Sequence, residues 1–276
     1  MSRSVLTAES VTELGEAVRG TVLVAGSHAG IIAAYLGAAG GAHALILNDA
    51  GVGRDRAGVA GLDYLAAIGM AAAAVSHLSA RIGDGEDAMA RGVISHCNTV
   101  AGGAGVRVGM RAQEAAHLLA AHAPAPGAPP PYADGRWRIR AASGVDIRVL
   151  DSVGKLEPED AGRILIIGSH GGLHGGRPAS ALNLAAPGRQ GAPVAARAAV
   201  FNDAGVGIEG IGITRLPELA RRGVPAATVD CMSARIGDGR SMWETGIISH
   251  VNERAAALGA LPGMSVARWV EQVCKA

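Results

Sequence analysis

Most of this chain is written twice. Asn48-Asp49-Ala50-Gly51-Val52-Gly53 returns unchanged as Asn202 to Gly207, and Ser79 to Gly85 (SARIGDG) returns as Ser233 to Gly239, both 154 residues on. Gly26-Ser27-His28 returns as Gly168-Ser169-His170 after 142 residues. Ile94-Ser95-His96, followed by Asn98, returns as Ile248-Ser249-His250, followed by Asn252. The step from 142 to 154 requires a 12-residue insertion in the second copy, within Leu173 to Arg197. Solenoid repeats have periods of about 20–50 residues, so this spacing predicts duplication of a whole domain. The expected units are residues 1–121 and 147–276, joined by a linker over 122–146 that contains the run Pro124 to Pro131.

Within each copy, short apolar runs alternate with helical stretches. Thr21 to Ala25, Ala44 to Leu47 and Ala72 to Val75 match Arg163 to Ile167, Ala198 to Phe201 and Ala226 to Val229. Continuous apolar runs of this length are strands buried on both faces, as in parallel sheets. The fold class is therefore α/β, internally duplicated, with two pseudo-twofold-related units, each a mainly parallel sheet flanked by helices. With 3% aromatic residues and 41 glycines, the core must be built from Ala, Val, Ile and Leu.

A balance of 25 basic and 24 acidic residues argues against a nucleic-acid partner. The apolar stretch Leu65 to Val75 is too short to span a membrane. The N-terminal residues lack the apolar core of a secretory signal, and three cysteines, Cys97, Cys231 and Cys274, form no disulfide or zinc pattern. A soluble cytoplasmic protein is expected, with a homo-oligomer left open.

The polar repeats follow directly on the apolar runs, and ligands bind at the carboxyl ends of parallel strands. The second copy supplies the expected catalytic set His170, Asp203, Cys231 and His250, with His as general base and water or Cys231 as nucleophile. Backbone amides of the glycine turns are the expected oxyanion donors. Ser169, Asn202, Gly205, Ser233, Arg235, Ser27, His28, Asp49 and Arg81 are expected to bind substrate, with Arg81 or Arg235 clamping a carboxylate. Asp84 and Asp238 stand where helix N-caps belong, and His96 and His250 fall in stretches read as helical. The insertion is long enough to act as a lid over the second site.

These assignments make the chain a small-molecule enzyme, with hydrolysis of an amide, ester or lactone in a carboxylate-bearing metabolite as the first reading. An isomerase or racemase is the second, because His77 and Cys231 occupy equivalent positions in the two copies and can serve as base and acid. A non-catalytic anion-binding protein is the third. No cofactor is required. His170 and His174 form the only donor pair singled out for a divalent metal. Gly205-Val206-Gly207-Ile208-Glu209-Gly210 spells GxGxxG, but Asn202-Asp203-Ala204 separates it from the strand and Arg56 replaces the last glycine in the first copy. NAD is therefore not expected.

Overall fold

The structure is a computed structural model that describes residues 3–133, 135–141, 143–186 and 189–275. It is a mixed α/β protein with two mostly parallel sheets flanked by helices. The first sheet has the order β1-β2-β3-β4-β5: β1 (Val5–Ala8), β2 (Val22–His28), β3 (Ala44–Asn48), β4 (Ala72–Val75) and β5 (Ile94–Cys97). Its strands are parallel except β5, which runs antiparallel to β4. The second sheet joins β6 (Arg136–Arg140), β7 (Asp146–Leu150), β8 (Ile164–His170), β11 (Ala198–Asn202), β12 (Ala226–Val229) and β13 (Ile248–Val251). Here β7, β8, β11 and β12 are parallel, while β6 and β13 are antiparallel edges. β6 falls within the stretch read from sequence as linker. The remaining strands, β9 (Asn183–Ala186) and β10 (Arg189–Pro193), form a separate hairpin.

Side chains alternate across each strand, so one strand feeds two cores. Val22 and Val24 face α3 (Gly85–Arg91), α4 (Thr99–Gly103) and α5 (Ala112–His122), whereas Leu23 and Ala25 face α1 (Ile31–Ala39) and α2 (Gly61–Ala67). In the second sheet, Ile164 and Ile166 pack under α7 (Gly239–Thr245), α8 (Glu253–Ala257) and α9 (Val266–Lys275). Leu165 and Ile167 pack beneath α6 (Arg215–Arg221) and the insertion. No described helix is long and apolar enough to cross a membrane.

Two expectations are corrected. His96 and His250 lie on β5 and β13, not on helices. α3 and α7 are short, and Gly92 and Gly246 end them before the chain turns back into the sheet. Nor is the insertion a free lid. Its Leu173, Ala181, Leu182 and Val194 are buried in the second core. Arg215, fully buried, donates to Gly172 O at 3.0 Å, to Ser180 O at 2.8 Å and to Ala181 O, so it pins the segment from within. These residues are packing, because their apolar side chains and the Ser180 and Ala181 carbonyls face inward.

Asp84 and Asp238 are the N-caps of α3 and α7, accepting from Asp87 N and Ser241 N at 2.9 Å each. Asp238→Ala should lower stability by about 1 kcal/mol, read as an earlier urea midpoint with an unchanged m-value.

Candidate functional site

The carboxyl ends of both sheets meet face to face. Arg54 N donates to Cys231 O and Ile208 N to His77 O, each at 2.8 Å, so each half seats its glycine turn on the other half. The turns touch at Gly51 and Gly205, whose φ of +74° and +73° glycine adopts without a Cβ penalty. A Cβ on Gly51 would stand 2.9 Å from Gly205 Cα and 3.2 Å from Cys231 Sγ. One on Gly205 would stand 2.9 Å from Gly51 Cα and 3.2 Å from His77 Nε2. Each glycine of the contact thus lies against a side chain of the other half, Gly51 against Cys231 and Gly205 against His77.

The first half holds a continuous polar chain at this point. His77 Nδ1 lies 2.8 Å from Asp49 Oδ1, which also accepts the His77 backbone N–H at 2.9 Å. Ser95 Oγ donates to Asp49 Oδ2 at 2.8 Å, and His96 Nδ1 lies 3.1 Å from Ser95 Oγ. Burial alone would raise the Asp49 carboxyl, but the bonds from His77 and Ser95 outweigh it and hold the group below its ordinary range. An ionised Asp49 accepts the Nδ1 proton, which leaves Nε2 as the basic nitrogen. The His77 side chain is 20% exposed and Asp49 only 4%, so the base reaches solvent while its orienting partner does not.

The second half differs where it matters. Asp203 Oδ1 accepts from Gly205 N and Cys231 N at 3.0 Å each. Burial raises the Asp203 carboxyl and Asp230 adds to that, against hydrogen bonds from Ser249, Gly205 and Cys231. Burial first, then the charges of Asp203 and Asp230, push the Cys231 thiol up to about 12. Cys231 is a protonated thiol at neutral pH, which argues against its use as a nucleophile. Asp203, Asp230 and Cys231 bring ligand atoms within 4.8 Å of one another, the described set suited to a divalent cation.

The other expected residues lie elsewhere. His28, His170 and His174 border a cavity of about 30 Å³ deep in the seam, with Ser27 and Ser169. Ser27 Oγ and Ser169 Oγ accept from Val11 N and Val153 N, tying loops. His28 Nδ1 and His170 Nδ1 accept from Gly30 N and Gly172 N. The rings of His170 and His174 are 5.6 Å apart, but Arg215 Nη2 lies 3.4 Å from His174 Nε2, so a cation there would meet a guanidinium. Asn202 braces its own turn through Ala204 N and Ala234 O. Ser233 joins Asp230 O to Ile247 N. The Nδ1 of His250 is buried without a hydrogen-bond partner among the described residues.

Two expected roles are already filled by protein groups. Arg235 pairs with Asp55 and Asp238, and Arg81 with Asp84, Asp87 and Glu209. Both guanidiniums therefore act as bonds along the seam rather than as open carboxylate clamps. The turn amides are occupied too. Gly51 N and Gly205 N bind Asp49 and Asp203, while Gly53 N and Gly207 N bind the carbonyls of Gly51 and Gly205. They are not available as oxyanion donors. Ser95 was missed as a site residue and Asp230 as a metal-ligand candidate, whereas His96 was expected at a first-half site and lies there on β5 rather than on a helix.

The buried histidines make the seam acid-sensitive. Burial pushes His28 down from 6.5 to about 4, and burial with the nearby His174, Arg215 and His28 pushes His170 well below its ordinary value. The unfolded chain takes up these protons below about pH 6.5 and the folded chain does not. Stability should therefore fall as pH drops from about 6.5 to 4 and return as pH rises, by about 3 kcal/mol for His28 alone. Urea midpoints at pH 7 and pH 4.5 measure the fall, and His28→Asn should make it shallower.

Comparison with known proteins finds no matching family model, no matching curated protein and no matching solved structure.

Proposed function

We propose that this chain is an enzyme of small-molecule metabolism that moves a proton on carbon, an isomerase or racemase acting beside a carbonyl group. The observation that carries the reading is the His96–Ser95–Asp49–His77 chain, which ends on a histidine base against Gly205, while a protonated thiol lies against Gly51 of the same contact. His77 Nε2 takes the proton from the substrate carbon, and the Cys231 S–H delivers its own to the opposite face. Charge is conserved, with imidazolium and thiolate formed together and reset by exchange with solvent. Support for a duplicated origin with approximate twofold symmetry comes from matching strand pairings, His28 with Asn48 and His170 with Asn202. Cys97, Cys231 and Cys274 are free thiols, which fits a cytoplasmic setting.

Hydrolysis by water activated on His77 is the second reading, favoured by the Asp49–His77 pair itself and weakened by the occupied turn amides. One experiment separates the two. A panel of 2-hydroxy, 2-amino and 2-methyl acids, with lactones and amides, is incubated with the protein in D₂O and followed by proton NMR. Loss of an α-proton signal without new products supports the isomerase. New acid or alcohol signals support the hydrolase. No change across the panel, with ligand-dependent thermal stabilisation, would leave a binding protein.

A further inference from the structure

The cavity deep in the seam is small and polar. Its volume of about 30 Å³ is close to one water molecule's share of the liquid. Both halves build it: Ser27 and His28 come from β2, Ser169 and His170 from β8. Each ring reaches the other half. A Cβ on Gly237 would stand 3.2 Å from His28 Cε1, and one on Gly83 would stand 3.4 Å from His170 Cε1. Among the described residues, no acid lines the cavity.

The hydrogen-bonding roles on its lining are unequal. His28 Nδ1 accepts from Gly30 N at 3.1 Å, and His170 Nδ1 from Gly172 N at 3.2 Å. Burial keeps both rings neutral at pH 7, and a neutral imidazole has one acceptor and one donor nitrogen. Each Nε2 therefore carries the hydrogen, and neither finds an acceptor among the described residues. A nitrogen that carries hydrogen has no lone pair to offer a metal ion. The serine oxygens are committed as acceptors as well. Ser10, Ser27, Ser152 and Ser169 take the backbone N–H of Thr12, Val11, Gly154 and Val153. The hydroxyl hydrogens of Ser152 and Ser169 have no acceptor among the described residues. His28, His170, Ser152 and Ser169 are each more than nine-tenths buried. Helix α1 also begins here, with Ile32 and Ala33 on the lining and Gly30 offering no side chain to its first-turn amides. Spare donors beside committed acceptors suit an occupant that only accepts, whereas a water must also donate.

We propose that this cavity binds a single halide ion, chloride in chemical identity, held by the Nε2–H groups of His28 and His170 and the hydroxyls of Ser152 and Ser169. The ion joins the two halves at a point where each supplies donors. The site is independent of the His77–Cys231 reading, since neither residue lines it.

Bromide is the probe. A crystal of the full chain grown from sodium gluconate and soaked in sodium bromide should give an anomalous peak at the bromine absorption edge, within hydrogen-bonding reach of both Nε2 atoms. In solution, the full chain should broaden the chlorine NMR resonance of sodium chloride, and added bromide should reverse the broadening saturably. Ser169→Ala should weaken binding about tenfold, as expected for one lost hydrogen bond to an ionic acceptor. A water in the cavity under saturating bromide would overturn the inference, as would bromide bound at exposed arginines alone. Chlorine line widths unchanged by the unmodified chain would overturn it without any variant.

Discussion

His77→Gln is expected to reduce α-proton exchange in D₂O by about 10²- to 10⁴-fold, the usual contribution of a positioned general base. The variant keeps a polar side chain at a partly exposed position, so its thermal midpoint should stay near that of the parent. Asp49→Asn should cause a loss of similar kind by a different route. A carboxamide at 2.8 Å from Nδ1 no longer selects the tautomer with its lone pair on Nε2. Ser95→Ala removes one bond to Asp49 and should cost far less. Cys231→Ala distinguishes the two reactions: it abolishes inversion at carbon but leaves hydrolysis by water largely intact. Full activity in His77→Gln would remove the seam site from consideration.

The second large effect concerns the fold. Gly168 lies on β8 where three segments converge, and a Cβ there would stand 2.6 Å from Asp151 O, 2.7 Å from Asp238 N and 3.0 Å from Gly237 C. All three neighbours are backbone, so no side chain can rotate away. Gly168→Ala should cost on the order of 3 kcal/mol or more, a fall in thermal midpoint of roughly 6–12 °C for a chain of this size. Gly102→Ala is the control, because that position in α4 has nothing within 4 Å of the added methyl. Equal midpoints for the two variants would contradict the close approach at Gly168.

What could be read in the sequence was whatever depends on local pattern. Continuous apolar runs marked β2, β3, β4 and their counterparts, and the polar blocks after them marked the strand ends. Ser76-His77-Leu78 aligns with Asp230-Cys231-Met232 in the sequence, and the structure sets His77 against Gly205 and Cys231 against Gly51. Occupancy was not legible. That Arg235 would bind Asp55, 180 residues away, depends on how the halves face each other, and no local pattern records it. The glycine amides misled for a related reason. NDAGVG offers many N–H groups near a strand end, but its own Asp and its own carbonyls accept them within the turn. The insertion misled because glycine content suggests mobility, whereas Leu173, Leu182 and Val194 are core residues.

The meeting of the two halves at Gly51 and Gly205 has a consequence for dilution. His77 and Cys231 come from different halves, so the chain between them acts as a tether that holds each at a high effective concentration near the other. Linking two groups in one chain makes their meeting intramolecular, with effective concentrations in the millimolar range for short linkers. If the chain were cleaved between Ala123 and Gly135, assembly of the site would become bimolecular. Its rate would then scale with the product of two fragment concentrations until the fragments saturated each other. The stretch between the two sheets touches neither His77 nor Cys231 in any described hydrogen bond, yet it would decide whether the site exists at the concentrations of a cell.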